Sequence, residues 1–172
     1  MSLRGHHTTV STHEQGISFL VVRLGQTRLA FPADGVRGVL TSAEAGIGDS
    51  ISAVGITYRH IDLTGLLLLS ADFSTTDTRV VLYSNGRTHG AVRVEQVFGL
   101  TEVESTQCLP LPAHFRSDER TWFSGMILHE TGLALVVNPA WLLGEVAEVV
   151  TMVADGMSSQ SASRMVIGGV SC

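Results

Sequence analysis

Two stretches of the chain share one pattern of apolar and polar positions. Residues 19–22 and residues 80–83 are apolar runs, and each is followed within a few residues by a glycine, Gly25 or Gly86. After each glycine a second stretch rich in apolar residues begins. A β-rich run, a glycine turn and a returning run predict a β-hairpin in each stretch.

The similarity between the two stretches continues beyond the hairpins at a constant offset of 61 residues. At this offset Val36 aligns with Val97, and Gly38 aligns with Gly99. Each of these glycines stands near the start of a further predicted strand, where glycine favours a bend or a bulge. Because a duplication of this length rarely arises by chance, it outweighs any single motif as a guide to the fold.

A second pair of similar segments covers residues 60–67 and 136–143, at an offset of 76 residues. Each segment has a strand pattern, then Asp62 or Asn138, then a pair of leucines. Aspartate and asparagine are preferred helix N-caps, so each segment predicts a strand followed by a short helix. The larger offset predicts an insertion of 15 residues in the second copy, between positions 101 and 133.

The two copies predict an all-β fold of two small barrels related by internal duplication. The first barrel is expected at about residues 17–70 and the second at about 78–143, with the two intertwined. Each copy has about five short strands and one helical turn, and closing such a sheet removes exposed edges. Val36 and Val97 are expected to be buried or to line the groove between the barrels, and the residues expected to be buried are Phe19, Leu82, Leu135 and Leu142. Residues 1–16 predict a flexible leader, because they are polar and terminal.

Several local elements follow from the same pattern. Residues 51–61 predict a strand, residues 41–49 a loop, and residues 107–120 a loop that holds most of the insertion. Residues 122–128 and 132–137 predict a hairpin around residues 129–131. Valines three and four positions apart predict a short amphipathic helix at 144–155, followed by a flexible tail at 156–172.

The composition of the chain argues against several classes of function. The net charge of −5 and the absence of lysine argue against a nucleic-acid-binding protein, which needs a basic face. No apolar run approaches the roughly 18 residues of a membrane-spanning helix, and the N-terminus lacks the apolar core of a secretory signal. With only two cysteines, Cys108 and Cys172, the sequence predicts a cytoplasmic protein with reduced thiols.

Asp62 is the best candidate for a catalytic carboxylate, and helix capping is the competing interpretation. Its partner in the second copy is Asn138. An amide caps a helix as well as a carboxylate does, but it does not act as a general base. The comparison of the two copies therefore favours capping.

The remaining polar side chains do not form a catalytic or metal-binding pattern in the sequence. The histidines have no ligand spacing such as HxxxH, and Cys108 has no histidine close in sequence, so we interpret it as a structural or surface thiol. We therefore expect no catalytic residues, no cofactor and no metal site. His60 and His89 lie in predicted strands, and His114 and His129 in predicted loops.

The order and spacing of these segments resemble those of the CheW-like domain family. The segments that carry the resemblance are FLVVRLGQTRLAFPADGVRGVL, HIDLTGLL, RVVLYSNGRTHGAVRVEQVFGL and FSGMILHETGLALVVNPAWLL. The resemblance implies two five-stranded, SH3-like barrels around a shared core. It also implies a non-enzymatic adaptor that couples methyl-accepting chemoreceptor tips to a CheA-type histidine kinase, with CheW-like domains meeting barrel to barrel.

The resemblance also implies where partners bind. The segment at Ser52, Val54 and Gly55 and the turn at Arg37 and Gly38 are expected on the outward face of the first barrel. Partner-binding residues are therefore predicted on both copies: Val36, Arg37, Gly38, Ser52, Val54, Gly55, Val97 and Gly99.

One departure from the family pattern leaves two functions open. Val54 occupies the position where the family has an arginine of its interaction surface, and the segment before Asp62 is shortened. The first hypothesis is a receptor–kinase adaptor. The second is a divergent CheW-like binding module of another two-component or motility pathway, and an enzyme on a small barrel is the least supported alternative.

Overall fold

The structure is a computed structural model that describes residues 16–46, 48–130 and 132–145. Nearly all of the predicted leader, the predicted tail and most of the predicted helix at 144–155 lie outside these residues.

Short antiparallel strands dominate the described chain. The strands are β1 Ile17–Leu24, β2 Thr27–Pro32, β3 Val36–Thr41, β4 Ser50–Ala53, β5 Ile56–Ile61, β6 Arg79–Ser84, β7 His89–Val94, β8 Gln96–Val103, β9 Cys108–Leu109, β10 Phe123–His129 and β11 Gly132–Val137. The helices are α1 Ser42–Ala45, α2 Leu63–Leu67, α3 Glu119–Trp122 and α4 Pro139–Leu142. Among the described residues, none of these helices has the length and hydropathy to cross a bilayer.

The strands form two curled sheets with the same internal order. One sheet has the order β3-β6-β7-β5-β4, and we call it the first barrel. The other has the order β8-β1-β2-β11-β10-β9, and we call it the second barrel. Replacing each strand of the first barrel by its repeat partner gives the order of the second, apart from the two-residue β9. The predicted all-β fold of two small SH3-like barrels is confirmed.

Each barrel takes strands from both halves of the chain. β1 and β2 pair with β8 and β11 in the second barrel, whereas β6 and β7 pair with β3 and β5 in the first. The two β-hairpins predicted at the start of each copy are thus exchanged between the barrels. The first barrel needs β6 and β7 from the second half of the chain, and the second barrel needs β1 and β2 from the first half. Neither barrel can therefore form without residues from the other half.

Both predicted bulges are present, one in each copy. In the first barrel, Val36 faces Tyr83 and Gly38 faces Leu82, which leaves Arg37 as the extra residue. In the second barrel, Val97 faces Val22 and Gly99 faces Val21, which leaves Phe98 as the extra residue. A bulge re-aims the side chain of the unpaired residue, so the duplication places Arg37 and Phe98 at equivalent, outward-facing positions.

The described residues form three apolar clusters. Phe19 and Ile127 belong to a cluster inside the second barrel, and Tyr58 and Leu82 belong to one inside the first. The largest cluster contains residues from both sheets and forms a shared core. In this core the ring centroids of Tyr83 and Phe31 lie 5.8 Å apart.

Burial agrees with most of the expected core. Phe19, Leu82 and Leu142 are buried, as predicted. Val36 and Val97 are half-buried and pack against the shared core, as predicted for residues between the barrels. Leu135 was expected to be buried but is only half-buried at the margin of this core.

Four local predictions are wrong. The predicted loop at 107–120 contains the short strand β9 and the first residues of α3. The predicted strand at 51–61 is a hairpin of β4 and β5, because Val54 and Gly55 form its turn with φ of 51° and 75°. The predicted loop at 41–49 contains α1, which begins with a capping box between Thr41 and Glu44. His129 ends β10 and is buried, whereas a loop position was predicted.

Candidate protein-binding surfaces

The predicted partner residues of the first barrel lie on β3 and on the β4–β5 turn. Arg37 is exposed on the bulge of β3, and its Nη2 donates a hydrogen bond to the carbonyl of Ser84 at 3.4 Å. Val54 is 99% exposed at the tip of the turn, and Ser52 and Gly55 beside it are also exposed. These side chains are available to another protein.

The sheet separates these residues into two groups. β3 and β4 are the edge strands of the first barrel's sheet, with β6, β7 and β5 between them. The bulge at Arg37 and the turn at Val54 therefore lie on opposite edge strands of one curled sheet. That both belong to one outward face stays a prediction.

In the second barrel, Phe98 is the exposed residue of the predicted group. Val97 and Gly99 are half-buried, whereas Phe98 is 36% exposed on the bulge between them. The guanidinium of Arg28 lies 5.3 Å from the Phe98 ring centroid, and the His129 ring lies 5.6 Å from it. Phe98 was missed, although its alignment with Arg37 in the repeat was a signal that could have identified it.

Arg28 connects this aromatic site to the β10–β11 hairpin. Its Nη1 donates a 3.0 Å hydrogen bond to the carbonyl of His129, and its Nη2 lies 4.0 Å from the carboxylate of Glu130. The side chain is thus held between Phe98 on one side and the hairpin on the other. This arrangement fixes a charged group beside an exposed ring, which is a common feature of protein interfaces.

The β10–β11 hairpin carries an exposed apolar pair. Leu128 and Leu133 are cross-strand partners and are 56% and 50% exposed. At the repeat offset their counterparts in the first barrel are Ser52 and Thr57, which are also cross-strand partners and are exposed and polar. Leu100, on β8, is 70% exposed. At this hairpin the duplication therefore keeps the cross-strand pair but replaces two polar side chains with two leucines.

Asp62 and Asn138 are the N-cap residues of α2 and α4. Asp62 Oδ1 accepts hydrogen bonds from the Thr64 hydroxyl and from the Gly65 N–H, and these bonds hold the pKa of the carboxyl below its ordinary value. In the second copy, Asn138 Oδ1 accepts a hydrogen bond from the Ala140 N–H. The interpretation of Asp62 as a helix cap is confirmed.

Comparisons with known proteins agree with this architecture. Residues 18–147, most of the chain, match the family model described as CheW-like domain. A similar solved structure is the scaffolding protein TtCheW from Thermoanaerobacter tengcongensis, with a TM-score of 0.62 and 13% sequence identity over 72% of this chain and 89% of that chain. No curated protein matches the chain. The structural likeness shows a common fold, and the family match, which spans both barrels, shows that the chain belongs to the CheW-like domain family.

Proposed function

We propose that the protein is a non-enzymatic, cytoplasmic adaptor that couples methyl-accepting chemoreceptor tips to a CheA-type histidine kinase. Membership of the CheW-like domain family supports this role, since the resemblance described above implies it. The duplicated fold also supports it, because two related barrels offer two separate docking surfaces. An adaptor needs at least two such surfaces, one for each partner.

The observation that carries the proposal is the exposed apolar surface of the second barrel. Leu128 and Leu133 lie side by side on the β10–β11 hairpin, and Phe98 lies beyond Arg28. Large apolar side chains with a charged neighbour match the anatomy of a protein interface, which has an apolar centre and a polar rim. The kinase's own CheW-like domain is the partner that we assign to this surface. A stable contact of this kind buries roughly 1,200–2,000 Å².

The duplication supplies a matched experiment for this assignment. In the Leu128→Arg/Leu133→Arg variant two arginines replace the apolar pair, and in the Ser52→Arg/Thr57→Arg control they replace the equivalent polar pair. We expect the first variant to weaken binding to the CheW-like domain of the CheA-type kinase by about tenfold or more, which corresponds to about 1.4 kcal/mol. Binding is measured by titration calorimetry, and circular dichroism checks that both variants fold.

Equal binding by the wild type and the Leu128→Arg/Leu133→Arg variant would remove the second barrel from the kinase interface. Equal loss in both variants would show that added charge, and not the apolar pair, weakens binding. Failure of the wild type to bind the kinase domain would reject the kinase as partner.

One observation favours a second candidate, a divergent CheW-like binding module of another two-component or motility pathway. Val54 is almost fully exposed at the position where the family has an arginine. The chain therefore has an apolar side chain at the tip of this turn, where the family has a positively charged one. The Val54→Arg variant separates the two candidates in co-sedimentation with receptor tips. A receptor adaptor should keep or strengthen its receptor binding, whereas a module of another pathway should not bind receptor tips with either residue.

A further inference from the structure

The tip of the β10–β11 hairpin extends beyond the backbone pairing with its two neighbouring strands. Within the described residues, pairing with β9 ends at Ile127, and pairing with β2 begins only at Leu135. Leu128 and Leu133 lie between these positions and pair with each other. Because a two-stranded ribbon has little stability of its own in water, side-chain contacts must fix the orientation of this tip.

Arg28 makes such contacts. It stands one position before the β2 residue that pairs with Leu135, so its side chain continues where the backbone pairing stops. The guanidinium lies over the Phe98 ring, donates a hydrogen bond to the His129 carbonyl and is close to the Glu130 carboxylate. A guanidinium group has several donors in one rigid plane, so it can hold the β8 bulge and the hairpin in one relative orientation.

Gly132 provides the space for this guanidinium. A Cβ atom at position 132 would lie 2.9 Å from Arg28 Nη1 and 3.4 Å from its Cζ. Any larger residue would therefore push the guanidinium away from the hairpin. The absence of a side chain at Gly132 and the position of Arg28 thus belong to one arrangement.

This arrangement is particular to the second barrel. The repeat places different residues at the equivalent positions of the first barrel: His89 for Arg28, Arg37 for Phe98 and Ile56 for Gly132. An isoleucine side chain occupies the space that the glycine leaves open. The contacts of Arg28 are therefore not required by the barrel fold itself, which indicates a role in the surface of the second barrel.

We propose that Arg28 is a positioning residue that fixes the orientation of Leu128 and Leu133 relative to Phe98. A partner that binds an already ordered surface loses less conformational entropy on binding. The consequence for binding rests on the proposed function, in which these side chains contact the kinase's CheW-like domain. The effect of Arg28 on the hairpin needs no partner.

Hydrogen–deuterium exchange on the full-length chain without a partner tests the effect on the hairpin. Arg28→Met removes the guanidinium, whereas Gly132→Ala displaces it and keeps every charge. We expect both variants to raise the exchange rates of the Leu128 and Leu133 amides about fivefold or more. The amide of Val81 in the shared core should stay within about twofold of its wild-type rate.

Two further variants sharpen this comparison. Arg28→Met/Gly132→Ala should exchange no faster than Arg28→Met alone, because both changes remove the same contact. Arg87→Met removes an equal charge from the exposed β6–β7 turn and should leave the hairpin rates unchanged. Circular dichroism checks that all variants fold.

Surface plasmon resonance with the CheW-like domain of the CheA-type kinase tests the consequence for binding. We expect Arg28→Met and Gly132→Ala to raise the dissociation rate about fivefold, because most changes at an interface act on dissociation. The association rate should stay within about twofold of the wild-type value. A general loss of stability would not produce this selective change in a folded variant.

Unchanged exchange of the hairpin amides in Arg28→Met would overturn the proposal. Equal acceleration in the hairpin and at Val81 would also overturn it, since it would show a general loss of stability. So would wild-type dissociation rates in both variants when the wild type binds. If the wild type does not bind the kinase domain, the proposed function fails, and the exchange comparison still decides whether Arg28 positions the hairpin.

Discussion

At the scale of single residues, the β4–β5 turn departs most from ordinary sequence preferences. Val54 has a φ of 51° and is 99% exposed, so its side chain gains no packing for adopting a left-handed conformation. Such a conformation costs a β-branched residue on the order of 1–2 kcal/mol, whereas asparagine adopts it readily. A two-residue turn with positive φ at both positions normally has the sequence Asn-Gly.

We therefore predict that Val54→Asn raises the free energy of unfolding by about 1 kcal/mol. The measurement is urea denaturation followed by circular dichroism. Ser52→Asn is the control, because Ser52 lies in the extended strand next to the turn and gains nothing from asparagine. A Val54→Asn protein less stable than the wild type would contradict this account of the turn.

Asp62 should contribute to the dependence of stability on pH. Hydrogen bonds from the Thr64 hydroxyl and the Gly65 N–H lower its pKa in the folded state below the ordinary 3.8. A lowered folded-state pKa stabilises the protein at pH values above the unfolded-state pKa, and this contribution is lost as the pH falls through the folded-state pKa. Asp62→Asn, which copies the cap at Asn138, should therefore flatten the loss of stability between about pH 5 and pH 2.

Thermal melts of the wild type and Asp62→Asn across this pH range provide the measurement. The variant should retain some acid sensitivity, because the pKa values of Glu44 and Asp72 are also lowered by hydrogen bonds from neighbouring groups. Parallel curves for the two proteins would show that the Asp62 carboxylate has no such role.

Several residue-scale features could be predicted from the sequence because local chemistry determines them. The caps at Asp62 and Asn138 and the bulges at Gly38 and Gly99 follow from short-range preferences. The turn at Val54 could not be predicted, since valine is a poor turn residue and continues the alternation of a strand. The capping box of Thr41 and Glu44 was visible in the sequence and was overlooked.

At the scale of elements, the strand exchange between barrels explains how one shared core forms. β6 is the centre of this arrangement, because its residues alternate between the shared core, at Val81 and Tyr83, and the interior of the first barrel, at Val80 and Leu82. Strand pairings such as β1–β8 connect residues far apart in sequence. Hydrophobic periodicity does not specify such pairings, which is why the sequence predicted the strands but not the membership of each sheet.

The same element supports a stability prediction. Leu82→Ala should lower the free energy of unfolding by about 2–5 kcal/mol, because it leaves a cavity in the first barrel's interior. Leu133→Ala, at a half-exposed position, should change it by no more than about 0.5 kcal/mol. Chemical denaturation of both variants measures the difference, and an undiminished stability of Leu82→Ala would contradict the core assignment.

A buried carboxylate fixes the segment that connects the two copies. Glu95 is 6% exposed, accepts a hydrogen bond from the Asp72 N–H at 2.5 Å and lies 3.7 Å from Arg23 Nη1. Glu95→Ala leaves the Asp72 N–H without this acceptor, so we predict a loss of about 1–3 kcal/mol. Glu95→Gln keeps an acceptor oxygen and should lose less. Equal denaturation midpoints for Glu95→Ala and the wild type would exclude this role.

At the scale of the whole molecule, the duplication supplies two barrels with the same strand order, apart from β9, and with different side chains at equivalent exposed positions. The outward bulge carries Arg37 in the first barrel and Phe98 in the second. The equivalent hairpin pairs are polar in the first barrel and leucines in the second. Two surfaces of different chemistry allow one small protein to bind two different partners, which is the central requirement for an adaptor.

Three-component co-sedimentation tests the proposed adaptor role most directly. Membranes that carry receptor tips are mixed with a CheA-type kinase, with or without the protein, and the kinase in the pellet is measured. We predict that the protein increases the amount of sedimented kinase and that Leu128→Arg/Leu133→Arg reduces this increase while the protein itself still sediments. If kinase sedimentation is the same with and without the wild-type protein, the protein does not couple receptors to this kinase.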